Sequence, residues 1–215
     1  VHHQDCRSVI SYTDGQTGII NGRTSAIYVG SIGLPVLLRA LGAPMGGKNV
    51  TPFDVPQWLP RAPRWIKRLY LAGYFGAEMT APRLRAEGYG FERPTVSLSK
   101  VERLETSGRL FLAHVAGLLQ EFGVQADRIS VHTGVVTVSG ERTVKLRLWL
   151  SSREENLRAF WTKIGFEYCG DRNQRSAYAA QYLALLRRVV EHEAALTGKA
   201  EHAVGVTAYR HRTEH

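Results

Sequence analysis

Glu78 closes a run whose composition is odd for a buried helix. Residues 69–79 read LYLAGYFGAEM, with apolar side chains interleaved with Ala72, Gly73, Gly76 and Ala77. Glycine inside a helix costs about 1 kcal/mol relative to alanine, so packing has to offset Gly73 and Gly76. Leu69, Ala72, Gly73 and Gly76 fall at i, i+3, i+4 and i+7 and share one stripe. A stripe without bulk lets a second helix approach backbone to backbone. If that helix is a copy of the same segment, two Glu78 carboxylates meet at the shared end. They repel unless a divalent cation neutralises them. A cation held in this way activates water for phosphodiester hydrolysis.

Chemistry of that kind needs a surface that holds a polyanion. Residues 143–150, TVKLRLWL, alternate without a break: Val144, Leu146, Leu148 and Leu150 share one strand face, and Thr143, Lys145, Arg147 and Trp149 the other. The preceding strand offers Arg128, Ser130 and His132. The stretch TVSLSK offers Thr95, Ser97 and Ser99, then Lys100, and Arg83 and Arg85 flank Leu84 in the same manner. Four such strands predict a sheet able to lie along a groove of DNA, with Arg and Lys on guanine edges or phosphates and Ser and Thr on either. The same alternation also describes the solvated face of any antiparallel sheet.

The elements that would carry these residues follow from period and punctuation. Residues 17–30 read as a hairpin turning at Asn21-Gly22, and 31–42 as a short apolar helix stopped by Gly42. Pro44, Pro52, Pro56, Pro60 and Pro63 make 43–63 a stiff connector. The helix containing Glu78 starts near Arg64. Strands are expected at 81–86 and 94–99, a helix at 106–123, strands at 128–138 and 142–150, and a helix at 154–165. A last helix, 174–196, carries Tyr178, Tyr182, Leu185 and Val189 along one stripe read as core. Residues 199–215 are polar and expected to fray.

The bulk numbers agree with a nucleic-acid partner. The 215 residues suffice for a sizeable core, and 44% hydrophobic with 22% charged residues excludes disorder over most of the length. The net charge is +9 and the pI about 9.8, so a polyanion is the first partner to consider. Residues 1–60 carry a balance of only +1 (Arg7, Arg23, Arg39 and Lys48 against Asp5, Asp14 and Asp54), leaving +8 for 61–215. Cys6 and Cys169 have no ligand-like spacing, which predicts a reducing, cytoplasmic setting without a zinc module. No stretch reads as a membrane span. His2, His3, His202, His211 and His215 read as solvated.

The run LAGYFGAEM resembles the LAGLIDADG motif, nearest to its LAGFFDAEG variants, and the αββαββα order after it is similar to that family's unit. NLRAFWTKIGFEY, residues 156–168, resembles the family's late segment, so the likeness covers about residues 26–196. The resemblance implies an α+β fold and a homing endonuclease: a Mg²⁺-dependent enzyme that cuts double-stranded DNA held on a saddle of antiparallel sheets. It implies metal binding by Glu78 and by the carbonyl of Ala77, and DNA contacts from the strand residues named above. Gly76 stands where the family commonly has an aspartate, and Met79 where it has a glycine. The family's basic residue near the end of the fourth strand leaves Lys145, Arg147 and Arg153 as candidates.

The family works through paired motifs, and only one is clear here. The sole rival, RSVISYTDG (7–15), offers Asp14 as a second catalytic and metal-binding acid, yet also reads as a strand running into an Asp-Gly turn. The implied organisation is an N-terminal hairpin-helix-connector segment (1–62) read as the remnant of a first unit, an endonuclease unit (63–198) and a tail (199–215). Pairing across the motif helix then comes from a homodimer or from pseudo-symmetry within one chain. Residues 26–58 resemble the stretch that closes a first unit in two-motif members and in the endonuclease domains of archaeal inteins. With no C-terminal His-Asn pair, a free-standing, intron-encoded form is expected. Two other readings stay open: a non-catalytic binder on the same scaffold (an RNA maturase acting on intron RNA, or a DNA-binding regulator), and a structural protein with a glycine-containing core helix.

Overall fold

The computed structural model describes residues 2–11, 17–26, 30–86, 90–137 and 140–213. Two compact units emerge, Val1–Ala43 and Pro44–His215. In the first, β1 (His2–Ser11) pairs antiparallel with β2 (Thr17–Ala26), setting Cys6 opposite Gly22 and Arg7 opposite Asn21. The hairpin expected within 17–30 does not form. Asn21 and Gly22 lie inside β2, because the segment read as a strand running toward Asp14 supplies the pairing partner. Asp14 itself lies outside the described residues. Helix α1 (Gly33–Ala40) ends before Gly42, whose φ of 92° stops a right-handed helix.

The second unit starts with the proline-rich connector, expected to belong with the N-terminal segment. It is folded into turns at 47–51 and 56–62 rather than extended, and Leu59 is fully buried and Val55 nearly so, both in the core of this unit. A 3-10 turn at Leu59–Arg61 leads into α2 (Arg64–Glu78). Pro63 precedes the helix, a position where its missing amide costs nothing. Leu71, Ala72 and Phe75 are buried. Met79 then turns extended (φ −92°, ψ 151°) and bridges to Val96.

The strand expected at 81–86 is reduced to isolated pairings. The Thr80 amide bonds the Thr95 carbonyl at 3.1 Å, Leu84 lies opposite Phe91, and the Glu92 amide reaches the Arg83 carbonyl at 2.8 Å. Pro82 has no amide to donate, which interrupts a ladder at the point where it would extend. A three-stranded antiparallel sheet remains, in the order β3 (Thr95–Val101), β5 (Arg142–Leu150), β4 (Ala126–Val136).

One sheet face is apolar and covered. Val96, Leu98, Val144, Leu146, Leu148 and Leu150 pack in one core with Phe111, Leu112, Val115 and Leu119 of α3 (Glu105–Gln120). Phe75 of α2 and Phe160 of α4 (Glu154–Lys163) meet edge-on at 5.5 Å, and Phe91 meets Trp161 at 4.9 Å. Edge-on aromatic pairs of this kind add about 0.5–1.5 kcal/mol beyond their buried area.

Helix α5 runs Gly170–Thr213, past the expected end at 196 and through the tail expected to fray. Its inward face is not the expected one. Ser176, Ala179, Ala180 and Leu183 are buried, while Tyr178 and Leu185 are 61% and 62% exposed. Tyr182 alone of the predicted stripe packs inward, 5.9 Å from Phe91. The true face is turned by about 100°, one residue of helix. Small side chains let α5 lie close to the core without a hydrophobic signature. Among the described residues, no helix is long and apolar enough to cross a membrane.

Candidate nucleic-acid interface and acid site

The open sheet face is a three-by-three grid set by β5 at its centre. Thr95, Trp149 and Arg128 form one cross-strand row, Ser97, Arg147 and Ser130 the next, and Ser99, Lys145 and His132 the third. Strict alternation along β5 produces this, since each polar residue sits between two that are buried. Trp149 Nε1 donates to Ser130 Oγ at 2.9 Å, and Ser130 Oγ lies 3.2 Å from His132 Nε2. The guanidinium carbons of Arg128 and Arg147 stand 5.8 and 5.9 Å from the Trp149 ring centre. Arg128, Lys145 and Arg147 pair with no acid among the described residues.

Part of this grid opens onto a cleft of about 620 Å³, lined by Thr80, Arg85, Glu92, Arg93, Thr95, Ser97, Lys145, Arg147 and Trp149; Ser99, Arg128, Ser130 and His132 lie outside its lining. Arg85 Nε is held by the Phe91 carbonyl at 2.9 Å, and Arg93 pairs with Asp127 at 3.0 Å. Six of the nine lining residues were legible in the sequence. Thr80, Glu92 and Arg93 were not, because they belong to the irregular segment between α2 and β3. Arg83 is exposed but does not line the cleft, and Leu84 beside it is also exposed, so no amphipathic strand forms there. Arg153 is exposed at the start of α4, beyond the end of β5 and outside the cleft lining.

Lys100 must be reassigned. It shares strand parity with Val96 and Leu98, so its side chain enters the covered face and is fully buried. Its Nζ donates to the carbonyls of Lys48 and Thr51, both at 2.6 Å, and sits 3.7 Å above the Phe53 ring. Burial lowers its pKa to about 8. Lys100 ties the connector to the end of β3 and does not reach the open face of the sheet.

Glu78 stands at the last position of α2, two residues before Thr80 of the cleft. Lys48 Nζ donates to its Oε1 at 2.7 Å. The Tyr74 hydroxyl, one turn back, is buried without a hydrogen-bond partner among the described residues; burial raises that phenol's pKa, helped by the charge of Glu78 and by Tyr70. Ala77 is exposed. The small-residue stripe meets a segment of its own chain. A Cβ on Gly76 would fall on the Glu167 carbonyl oxygen, and one on Gly73 would lie 3.8 Å from the Tyr168 ring. The Glu167 amide bonds the Ala72 carbonyl at 2.9 Å. Arg172 of α5 donates to the carbonyls of Phe75 (3.2 Å) and Gly76 (2.8 Å). The missing side chain at Gly76 is thus filled by backbone of residue 167. Leu69 and Gly73 remain half-exposed.

Among the described residues, no group of three or more His, Cys, Asp or Glu could hold a metal ion. Glu78, at the exposed end of α2, is an oxygen donor of the kind a hard cation such as Mg²⁺ takes; paired with Lys48, it supplies one ligand and not a complete site.

No protein-family model matches the chain, and no solved structure matches it. Among curated proteins, it is 35% identical over 163 residues to the tRNA-splicing ligase RtcB of Methanopyrus kandleri, covering 76% of this chain and 16% of that protein. It is 29% identical over 181 residues to the DNA-directed RNA polymerase subunit Rpo1N of Methanocaldococcus jannaschii, covering 84% and 13%. To the replication factor C small subunit of the same organism it is 30% identical over 110 residues, covering 50% and 6%. The chain therefore spans a small fraction of each relative it matches.

Proposed function

We propose that this chain is a LAGLIDADG-type unit that holds double-stranded DNA on its open sheet face and cuts it at a specific site. The observation that carries the reading is the grid around Arg147: three cations without acidic partners among the described residues, on the open face of the sheet whose edge Met79 joins to the end of α2. Cations of this kind bind phosphates and read base edges. Glu78, with the carbonyl of Ala77, would hold a divalent ion, which when bound supplies water activation and stabilises the leaving oxygen. Lys145 and Arg147 face the cleft where scissile phosphates would lie, which favours them over Arg153 as the basic partner. A second acid would come from a second copy or a second motif.

The relatives support an inserted unit. Stretches covering 84%, 76% and 50% of this chain match small parts of three proteins with unrelated names. A segment that recurs in different hosts carries an activity apart from the hosts' own, as an endonuclease domain within an intein does. This favours the inserted form over the free-standing one expected from the sequence. The test is a Mg²⁺-dependent cleavage assay on a host locus that lacks the insertion. The chain is expected to cut it, and Glu78→Gln to bind without cutting. Cutting by Glu78→Gln would refute the assignment of the acid.

A second reading, a non-catalytic binder of DNA or intron RNA, is favoured by one observation: Glu78 is already neutralised by Lys48. It predicts steeply salt-dependent binding with no cleavage in any divalent metal.

A further inference from the structure

The stripe of Tyr178, Tyr182, Leu185 and Val189 does not face the core, and it does not stop at Val189. Continued along α5 it reaches His192, Leu196 and Lys199, in alternating steps of four and three residues. That spacing is the seam of a coiled coil, with Tyr182, Val189 and Leu196 at a positions and Tyr178, Leu185, His192 and Lys199 at d positions. The body of the unit supports only the start of the helix. Leu183 is its last buried residue among those described, and every residue from Arg187 to Ala200 is exposed, Val189 at 46% and Leu196 at 52%. Helices take most of their stability from a packed face. Beyond Tyr182, no described residue covers this one.

The charges beside the stripe indicate what covers it. Arg187 pairs with Glu191 at 2.8 Å within the helix, on the side away from the stripe. Arg188 and Glu193 flank the stripe and form no ion pair among the described residues. Arg188 occupies a g position and Glu193 the e position five residues on. In a parallel pair of identical helices these positions face each other across the seam, so each Arg188 meets Glu193 of the other copy. An antiparallel pair sets g against g, and Gln181, Arg188 and Ala195 give Arg188 no acid there.

We propose that residues 178–199 of α5 form a parallel two-stranded coiled coil with the same segment of a second copy, about a twofold axis along the seam. The seam is short and carries His192 and Lys199 at d positions, so the association is weak and depends on concentration. None of these residues lines the cleft. The proposal therefore stands or falls apart from the reading of the sheet face, and apart from any pairing across α2.

Sedimentation of the full chain at low salt, from about 1 to about 300 µM, tests it. The mass is expected to rise from one chain to two. Val189→Asp places two carboxylates in the seam and should weaken association about tenfold or more, with thermal unfolding at the dilute end unchanged. Arg188→Glu should weaken it about two- to tenfold, and Arg188→Glu combined with Glu193→Arg should return it to near the parent. A mass of one chain throughout overturns the proposal. So does a two-chain particle that Val189→Asp leaves intact, which places the contact elsewhere. Failure of the combined variant to recover overturns the parallel register.

Discussion

Trp149 on β5 and Ser130 on β4 lie diagonally across neighbouring strands, joined by a hydrogen bond from the indole Nε1 to the hydroxyl oxygen. With Arg128 and Arg147 each near its ring, the indole acts as a spacer between two guanidinium groups. Trp149→Phe keeps the ring and removes the donor, so urea unfolding should show a loss of about 0.5–1.5 kcal/mol. DNA affinity, read by fluorescence anisotropy, should fall further for Trp149→Ala than for Trp149→Phe.

Lys145 lines the cleft with no acidic partner among the described residues, so under the proposed function it is expected to behave as a phosphate contact. Lys145→Met is expected to weaken binding about equally on all DNA sequences and to reduce the slope of log affinity against log salt by about 1. An unchanged slope would remove Lys145 from the interface.

Gly76 and Gly73 sit three residues apart on α2, and the same substitution should act on them with opposite sign. Gly76→Ala puts a methyl group on the Glu167 carbonyl and is expected to destabilise by about 1–3 kcal/mol. Gly73→Ala meets only the Tyr168 ring at an ordinary distance and should stabilise by up to about 1 kcal/mol through helix propensity. Thermal denaturation of the two variants side by side checks both.

Lys100 gives the unit a pH dependence of known sign. Burial lowers its folded-state pKa to about 8, against 10.5 for the exposed group. Between those values the unfolded chain binds the extra proton and the folded chain does not, so this contribution to stability rises as pH rises. Denaturant unfolding at pH 7.5 and 9.5 should show the parent gaining stability relative to Lys100→Met over that interval.

What could be read from the chain beforehand depended on how far each signal reached. The β5 face was legible because Val144, Leu146, Leu148 and Leu150 alternate without interruption. Lys100 was misread although its parity with Val96 and Leu98 pointed inward; its charge outweighed the period. Ala179 and Ala180 gave α5 no hydrophobic phase to detect, so larger residues that face outward set the expected stripe. Pro82 was enough to prevent a regular strand near 81–86. The Lys48–Glu78 pair joins residues thirty apart, and no local pattern encodes such a contact. Its supports, the carbonyls of Lys48 and Thr51, are backbone groups that any residue type would supply.

The grip of Arg172 on the last turn of α2 makes the start of α5 a lever. Through these two hydrogen bonds a displacement of that long helix would be passed to the carbonyls of Phe75 and Gly76, one turn from Glu78, so the acid's surroundings are tied to a helix that does not line the cleft.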